Sequence, residues 1–141
     1  MKIIIASDHG GYNLKKEIYD YLSDRFEITD IGTNSAQSCD YPDFAKQVAK
    51  AIQNKEYDRG ILICGTGIGM AITANRFKGI RAANVSDTFS AKMTRMHNDS
   101  NILTLGERVI GVGLAKDIVD IWLKTEFKGG RHQKRIDLIE Q

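Results

Sequence analysis

Disulfides do not hold this chain together. Cys39 and Cys64 are the only cysteines in 141 residues, too few for a disulfide framework. With no targeting segment ahead of the first apolar run, two free thiols fit a reducing cytoplasm. Long apolar runs are also missing; none approaches the roughly 20 residues that a membrane-spanning helix needs. Charge of one sign is scarce: 20 Lys and Arg against 18 Asp and Glu leave a net charge of +2. Without a block of like charges, that balance argues against a nucleic-acid partner. Three histidines and two cysteines are scattered without ligand-type spacing, so no metal site is expected. Proline occurs once, as Pro42, and repeats and low-complexity segments do not occur. What remains is one ordinary globular domain spanning residues 1–141, large enough for a layered core.

The apolar segments that are present alternate in kind. Residues 2–7, 26–31, 59–63, 80–85 and 101–105 read as strands, several of them as the continuous runs of strands buried on both faces. Between them lie helical patterns. Leu14, Ile18, Tyr21 and Leu22 recur at helical spacing, with Asn13 as candidate cap. Phe44, Val48, Ala51 and Ile52 follow Pro42, which suits a helix's first turn. A helix follows residue 69 and ends at Gly79. Ser86-Asp87 caps another that runs through Met96 and breaks at residues 97–99. Leu114, Ile118, Ile121 and Trp122 mark the next, and a short amphipathic tail helix carries Ile136 and Ile139. Five strands alternating with five helices, plus the tail, predict an α/β fold: a doubly wound five-stranded parallel sheet with helices on both faces. Ligands of such sheets gather at the carboxyl ends of the strands, near the topological switch point. Asp8-His9, residues 64–69 and Arg108 all fall at those ends, which predicts one shared pocket.

Residues 61–70 carry the most chemistry. A strand ends in Cys64, then Gly65, Gly67 and Gly69 occupy alternate positions before a helix. The spacing is neither the G-x-G-x-x-G dinucleotide fingerprint nor a P-loop, and the next strand carries Arg81 where a ribose-binding acid would be expected. A nucleotide-binding domain is thus disfavoured, though a tight turn made only for strand–helix packing remains open. Cys64 could be an inert buried thiol, but its place at a strand end before a helix N-terminus favours the thiolate and a role as base. His9 and His97 lie in polar turns and suit proton transfer; both could equally be ordinary surface residues. Arg131 and Arg135, four apart, share a helix face and with Arg108 could grip one phosphate; a solvated basic tail is the alternative. Gly129-Gly130 would be a hinge letting that tail reach another subunit. Cys39, in a polar loop, has no such context.

Taken together, Cys64-Gly65-Thr66-Gly67-Ile68-Gly69-Met70, Ser7-Asp8-His9-Gly10-Gly11, Asp40-Tyr41-Pro42, His97-Asn98-Asp99 and Gly129-Gly130-Arg131-His132-Gln133 resemble the type B ribose-5-phosphate isomerases. The likeness runs from residue 2 to about residue 137. It implies a Rossmann-like sheet, a homodimer or tetramer with sites shared between subunits, and interconversion of ribose 5-phosphate and ribulose 5-phosphate without metal or organic cofactor. Cys64 would move the proton between C2 and C1 through a cis-enediolate, with Thr66 shuttling protons and amides of Gly65, Gly67 and Gly69 holding the oxyanion. His97 would open the furanose ring, with Asp8 and Tyr41 nearby and Asn98 touching substrate. His9, Arg108, Arg131 and Arg135 would hold the phosphate, some from the partner subunit. Some family members use a glutamate at the position of Met70; here the thiol is present and that glutamate is not. Galactose-6-phosphate isomerase subunits depart from the C-G-T-G-x-G pattern. A six-carbon sugar phosphate such as allose 6-phosphate stays open as substrate, as do, from other classes, a nucleotide-binding domain and a redox-sensing thiol.

Overall fold

The computed structural model describes residues 1–140. Its five strands are β1 (Lys2–Ser7), β2 (Glu27–Asp30), β3 (Arg59–Cys64), β4 (Ala82–Asn84) and β5 (Ile102–Gly106). All pairs are parallel, in the order β2-β1-β3-β5-β4. Strand order reverses at β1, whose neighbours are β2 and β3, so a switch point opens between β1 and β3. The helices are α1 (Tyr12–Leu22), α2 (Tyr41–Gln53), α3 (Ile68–Ala74), α4 (Thr88–Asn98), α5 (Val112–Lys124) and α6 (Arg131–Ile139), with a 3-10 turn at His9–Gly11. Among the described residues no helix is long and apolar enough to cross a membrane.

Continuous apolar strands are explained by a core on each side of the sheet. Side chains alternate along a strand. Ile3, Ile5, Ile61, Ile63, Leu103 and Leu105 pack against Leu14, Ile18, Leu22, Ile118 and Trp122 of α1 and α5. Ile4, Ala6, Leu62, Cys64 and Ile102 pack against Val48, Ile52, Met70 and Ala74 of α2 and α3. Two-sided burial leaves no polar register, which is why these strands read as unbroken Ile and Leu.

Helix ends are where the structure departs from expectation. Asn13 is not a cap, because it lies inside α1. The capping falls to Asp8, whose Oδ1 accepts from the amides of Gly10 (2.9 Å) and Gly11 (3.2 Å). Glu107, 93 residues away, accepts from the Leu14 amide at 2.7 Å. At the other predicted break, α4 continues through His97 and Asn98 and stops at Asp99, which takes a left-handed conformation (φ 45°) and returns its amide to the Thr94 carbonyl. Arg95 secures that stop with bonds to Asp99 Oδ1 (2.9 Å) and the Ser100 carbonyl (2.6 Å). Asp87 does cap α4, accepting from the Ser90 amide at 2.6 Å. That bond holds its carboxyl below the usual range. Pro42 stands in the first turn of α2 as expected.

The turn entering α1 presses on β3: a Cβ at Gly11 would lie 2.4 Å from the Ile63 carbonyl oxygen. Backbone cannot yield there as a flexible side chain could. Gly11→Ala is therefore expected to destabilise by about 2 kcal/mol or more, read as a lower urea midpoint with an unchanged slope.

Candidate active site

Three strand ends converge on residues 64–69. Gly67 has φ 81°, a left-handed conformation that glycine adopts without penalty. A Cβ there would lie 2.3 Å from Asn84 Oδ1 and 2.9 Å from the Leu105 carbonyl carbon. This conformation bends the chain so that the Gly67 amide donates to Cys64 Sγ at 3.1 Å. Cys64 itself is 5% exposed, seated at the end of β3 and anchored through its carbonyl by the Glu107 amide (3.0 Å). Of the amides expected to face an oxyanion, that of Gly67 is thus directed to the thiol.

The neighbours assemble from β1, α2 and the end of β5. Gly10 approaches the Gly65 amide so closely that a Cβ would stand 3.3 Å from it, which places Asp8 and His9 against the turn. Asp8 is buried and spent on capping. His9 Nδ1 accepts from the Cys39 amide at 3.2 Å; in the neutral ring that leaves the proton on Nε2. Thr66 is exposed and its Oγ1 accepts from the Ile68 amide (3.2 Å). Arg108, its own amide bonded to the Gly65 carbonyl (3.0 Å), lays its guanidinium along Gly65. The ring of Tyr41 lies on Gly69, where a Cβ would come within 2.6 Å. Asp8, His9, Tyr41, Cys64, Gly65, Thr66, Gly67, Gly69 and Arg108 therefore lie together around the turn at the strand ends.

His97, Asn98, Arg131 and Arg135 are elsewhere in the same chain. They line a cleft of about 310 Å³ between α4 and α6, with His132, Ile136 and Ile139. Helix α4 runs back from the carboxyl end of β4, so its last turn sits at the amino edge of the sheet. Arg81, preceding β4, fixes it there by donating to the carbonyls of Asn98 (2.9 Å) and Asp99 (3.1 Å). Ile102 pairs with Gly60 and Gly106 with Cys64, so the two edges are four residues apart along β5, about 13 Å. Arg108 is accordingly separated from Arg131 and Arg135 within one chain. The glycine pair does not release the tail. Gly129 and Gly130 both take positive φ (66° and 57°), the Lys128 amide binds the Met96 carbonyl (3.1 Å), and α6 docks on α4 of its own chain.

His97 and Asn98 end a helix instead of standing in a free turn, and the His97 ring stacks on His132 with centroids 4.3 Å apart and planes 13° from parallel. His132 stands in one of the sequence motifs, yet the motif implies no task for it. Burial comes first in lowering its pKa below the usual histidine value, helped by His97, Arg131, Arg135 and Lys128. Two further contributors escape a reading of the residues: Glu107, which caps α1, and Asn84, which braces Gly67 while accepting from Thr104 Oγ1 (3.0 Å). Neither carries a local signal, since each acts on a residue far away in sequence. None of Arg108, Arg131 or Arg135 forms an ion pair among the described residues.

A family model described as Ribose/Galactose Isomerase matches residues 3–139. The chain belongs to that family. It is 51% identical over 139 residues to ribose-5-phosphate isomerase B of Escherichia coli, covering 98% of this chain and 93% of that one. Its backbone follows that of Clostridium thermocellum ribose-5-phosphate isomerase B with a TM-score of 0.98 at 58% identity, covering 99% of this chain and 95% of the other. A ribose 5-phosphate isomerase of Thermotoga maritima is similar at a TM-score of 0.97 and 51% identity, covering 99% and 97%. The Rossmann-like fold expected from the motifs is the fold of these family members.

The depressed His132 sets a pH dependence. The unfolded chain binds a proton near the ordinary histidine value of about 6.5, while the folded ring resists it until lower pH. Stability is therefore fully present above that value and is lost as pH falls below it. Melting temperatures measured from pH 7.5 to 5.5 are expected to fall more steeply for the native chain than for His132→Asn, which cannot take up the proton.

Proposed function

We propose that this protein interconverts ribose 5-phosphate and ribulose 5-phosphate by proton transfer through a cis-enediolate. The observation that carries the reading is the Cys64 sulfur, held at a sheet edge by the Gly67 amide inside a turn otherwise lined by proton-transfer and cationic groups. Membership of the ribose/galactose isomerase family and the names of the relatives support it.

The proton beside a sugar carbonyl is weakly acidic, so two aids are needed: a base at carbon and donors at oxygen. Cys64 takes the C2 proton of the open-chain aldose and returns it to C1. The amides of Gly65, Thr66 and Gly69, together with the Thr66 hydroxyl, stabilise the developing oxyanion. One preorganised donor of that kind is worth about 3–4 kcal/mol. Thr66 relays protons between the two sugar oxygens, and Asp8 holds the loop on which His9 stands. His97 opens the furanose ring, with Tyr41 flanking the sugar and Asn98 binding it. His9, Arg108, Arg131 and Arg135 bind the phosphate, and that remote binding orients the reacting carbons.

Two half-sites at opposite edges of one chain cannot serve one sugar, so we propose a cytoplasmic homodimer, or a tetramer of two such pairs. In a two-fold pair the α4–α6 cleft of one subunit would face the Cys64 turn of its partner. Ile68 and Ile72, 52% and 64% exposed on the helix that opens from this turn, supply apolar surface for such an interface.

Turnover of ribose 5-phosphate with a chelator present tests reaction class and metal independence together; absence of turnover overturns the reading. Cys64→Ala should lower kcat by about 10²–10⁴-fold, the span of general-base catalysis, with an unchanged melting temperature. Full activity would remove Cys64 as base. Mixing inactive Cys64→Ala and His97→Ala chains after co-refolding tests the shared site. Each mixed dimer should hold one intact site, restoring about a quarter of native activity under random pairing. No recovery would place the whole site within one chain.

A further inference from the structure

Lys15 is a buried charged side chain with no part in the proton-transfer scheme. It projects from α1 and is 1% exposed, a burial that a charged group tolerates only with partners. Its Nζ lies 2.8 Å from Asp30 Oδ1 and also donates to the Thr33 carbonyl. The same Oδ1 accepts from the Gly32 amide at 2.8 Å. Gly32 and Thr33 are in turn laced to Ser7, carbonyl to amide and amide to carbonyl, at 2.8 Å each. One buried ammonium thus clamps residues 32–33 against the end of β1, next to Asp8 and His9.

This clamp fixes the near end of a loop that is otherwise free. Residues 34–38 make no hydrogen bond to the rest of the described chain. The loop next touches the protein where the Cys39 amide meets His9 Nδ1, and α2 then starts with Tyr41 on Gly69. The Lys15–Asp30–Thr33 cluster is therefore the anchor of this loop at its β2 side. We propose that Lys15 is a positioning residue that acts through the loop at residues 32–40, holding the Cys39 amide on His9 so that Nε2–H is presented to the substrate phosphate. The proposal rests on the reading of His9 as a phosphate ligand. It requires an ammonium and its carboxylate, since a neutral chain of the same shape leaves Asp30 and the Thr33 carbonyl without their donor.

The test is Lys15→Met. Loss of a charge-assisted anchor should raise KM for ribose 5-phosphate, and the inhibition constant of inorganic phosphate, by about tenfold. The proton-transfer groups are untouched, so kcat should stay within about threefold. In a His9→Ala background the same substitution should add nothing further to KM. Independently of substrate, long-range proton–nitrogen NMR of the three histidines should show His9 as the Nε2–H tautomer in the native chain and as an average of tautomers in the variant. An unchanged KM, additivity with His9→Ala, or an unchanged tautomer overturns the proposal. Should Lys15→Met not fold, Asp30→Asn keeps the acceptor oxygen, removes only the charge, and is judged by the same readouts. If the native chain does not isomerise ribose 5-phosphate, the functional reading fails by itself and the tautomer measurement still decides the role of Lys15.

Discussion

A single hydrogen bond, from the Gly67 amide to the Cys64 sulfur at 3.1 Å, is the constraint around which the site is arranged. It exists only because Gly67 takes a left-handed conformation. The sulfur stays in register only because the Glu107 amide holds the Cys64 carbonyl and the Arg108 amide the Gly65 carbonyl. The contacts that make room for the turn have one direction. Gly106 lies so close to Thr66 that a Cβ would stand 2.7 Å from its carbonyl, and Asn84 and Leu105 close on the same side of Gly67. A turn clamped from β4 and β5 cannot drift when a proton moves. In the proposed mechanism the donors would then be set before reaction, which is what electrostatic stabilisation requires.

The topology of the sheet explains why the chemistry is split. A parallel sheet sends its carboxyl ends to one edge, and every helix returns the chain to the other. Groups at helix ends after a crossover necessarily sit at the amino edge, as His97 and Asn98 do. Bringing them to Cys64 within one chain would mean crossing the roughly 13 Å of β5 between the edges. The proposed two-fold partner would solve this without new elements, because it would present its own amino edge.

What can be read in the residues, and what cannot, depends on the range of the interactions. Unbroken Ile and Leu runs declare strands buried on both faces because that signal is local. Cys64 with its alternate glycines declares a strand end and a tight turn for the same reason, as Pro42 declares a helix start. Asn13 misleads as a cap because Asp8, ahead of an intervening 3-10 turn, binds the first free amides instead and Glu107 takes the Leu14 amide. The end of α4 lies beyond its expected place because Asp99, an Asx residue tolerant of left-handed backbone, allows two more helical residues than the polar run His97-Asn98-Asp99 suggests. Cys39 looks incidental for its thiol, and its thiol has no partner among the described residues. Its amide does, and sequence carries no mark for a backbone donor that meets a histidine 30 residues away. Residue types suggest the chemistry proposed for His97, Arg131 and Arg135; only topology shows that they lie at the other edge of the sheet from the thiol.

The two halves also differ in how they are held, and the difference matches what the proposed mechanism asks of each. Proton transfer demands placement to a fraction of an ångström, and the thiol half rests on backbone bonds among β1, β3 and β5. Phosphate binding by guanidinium groups tolerates looser placement, because charge attraction falls off slowly with distance. Those arginines stand exposed on α6, attached through two glycines at positive φ and seated by Ile136 and the His132–His97 stack. Of the residues on that side, only His97 is assigned a proton-transfer role in the proposed mechanism, and its ring stacks on the buried His132. The stack thereby gives the adjustable half one rigid member. Because the His132 ring is kept from taking a proton by burial and by the surrounding cations, that rigidity holds at neutral pH without adding another positive charge beside His97.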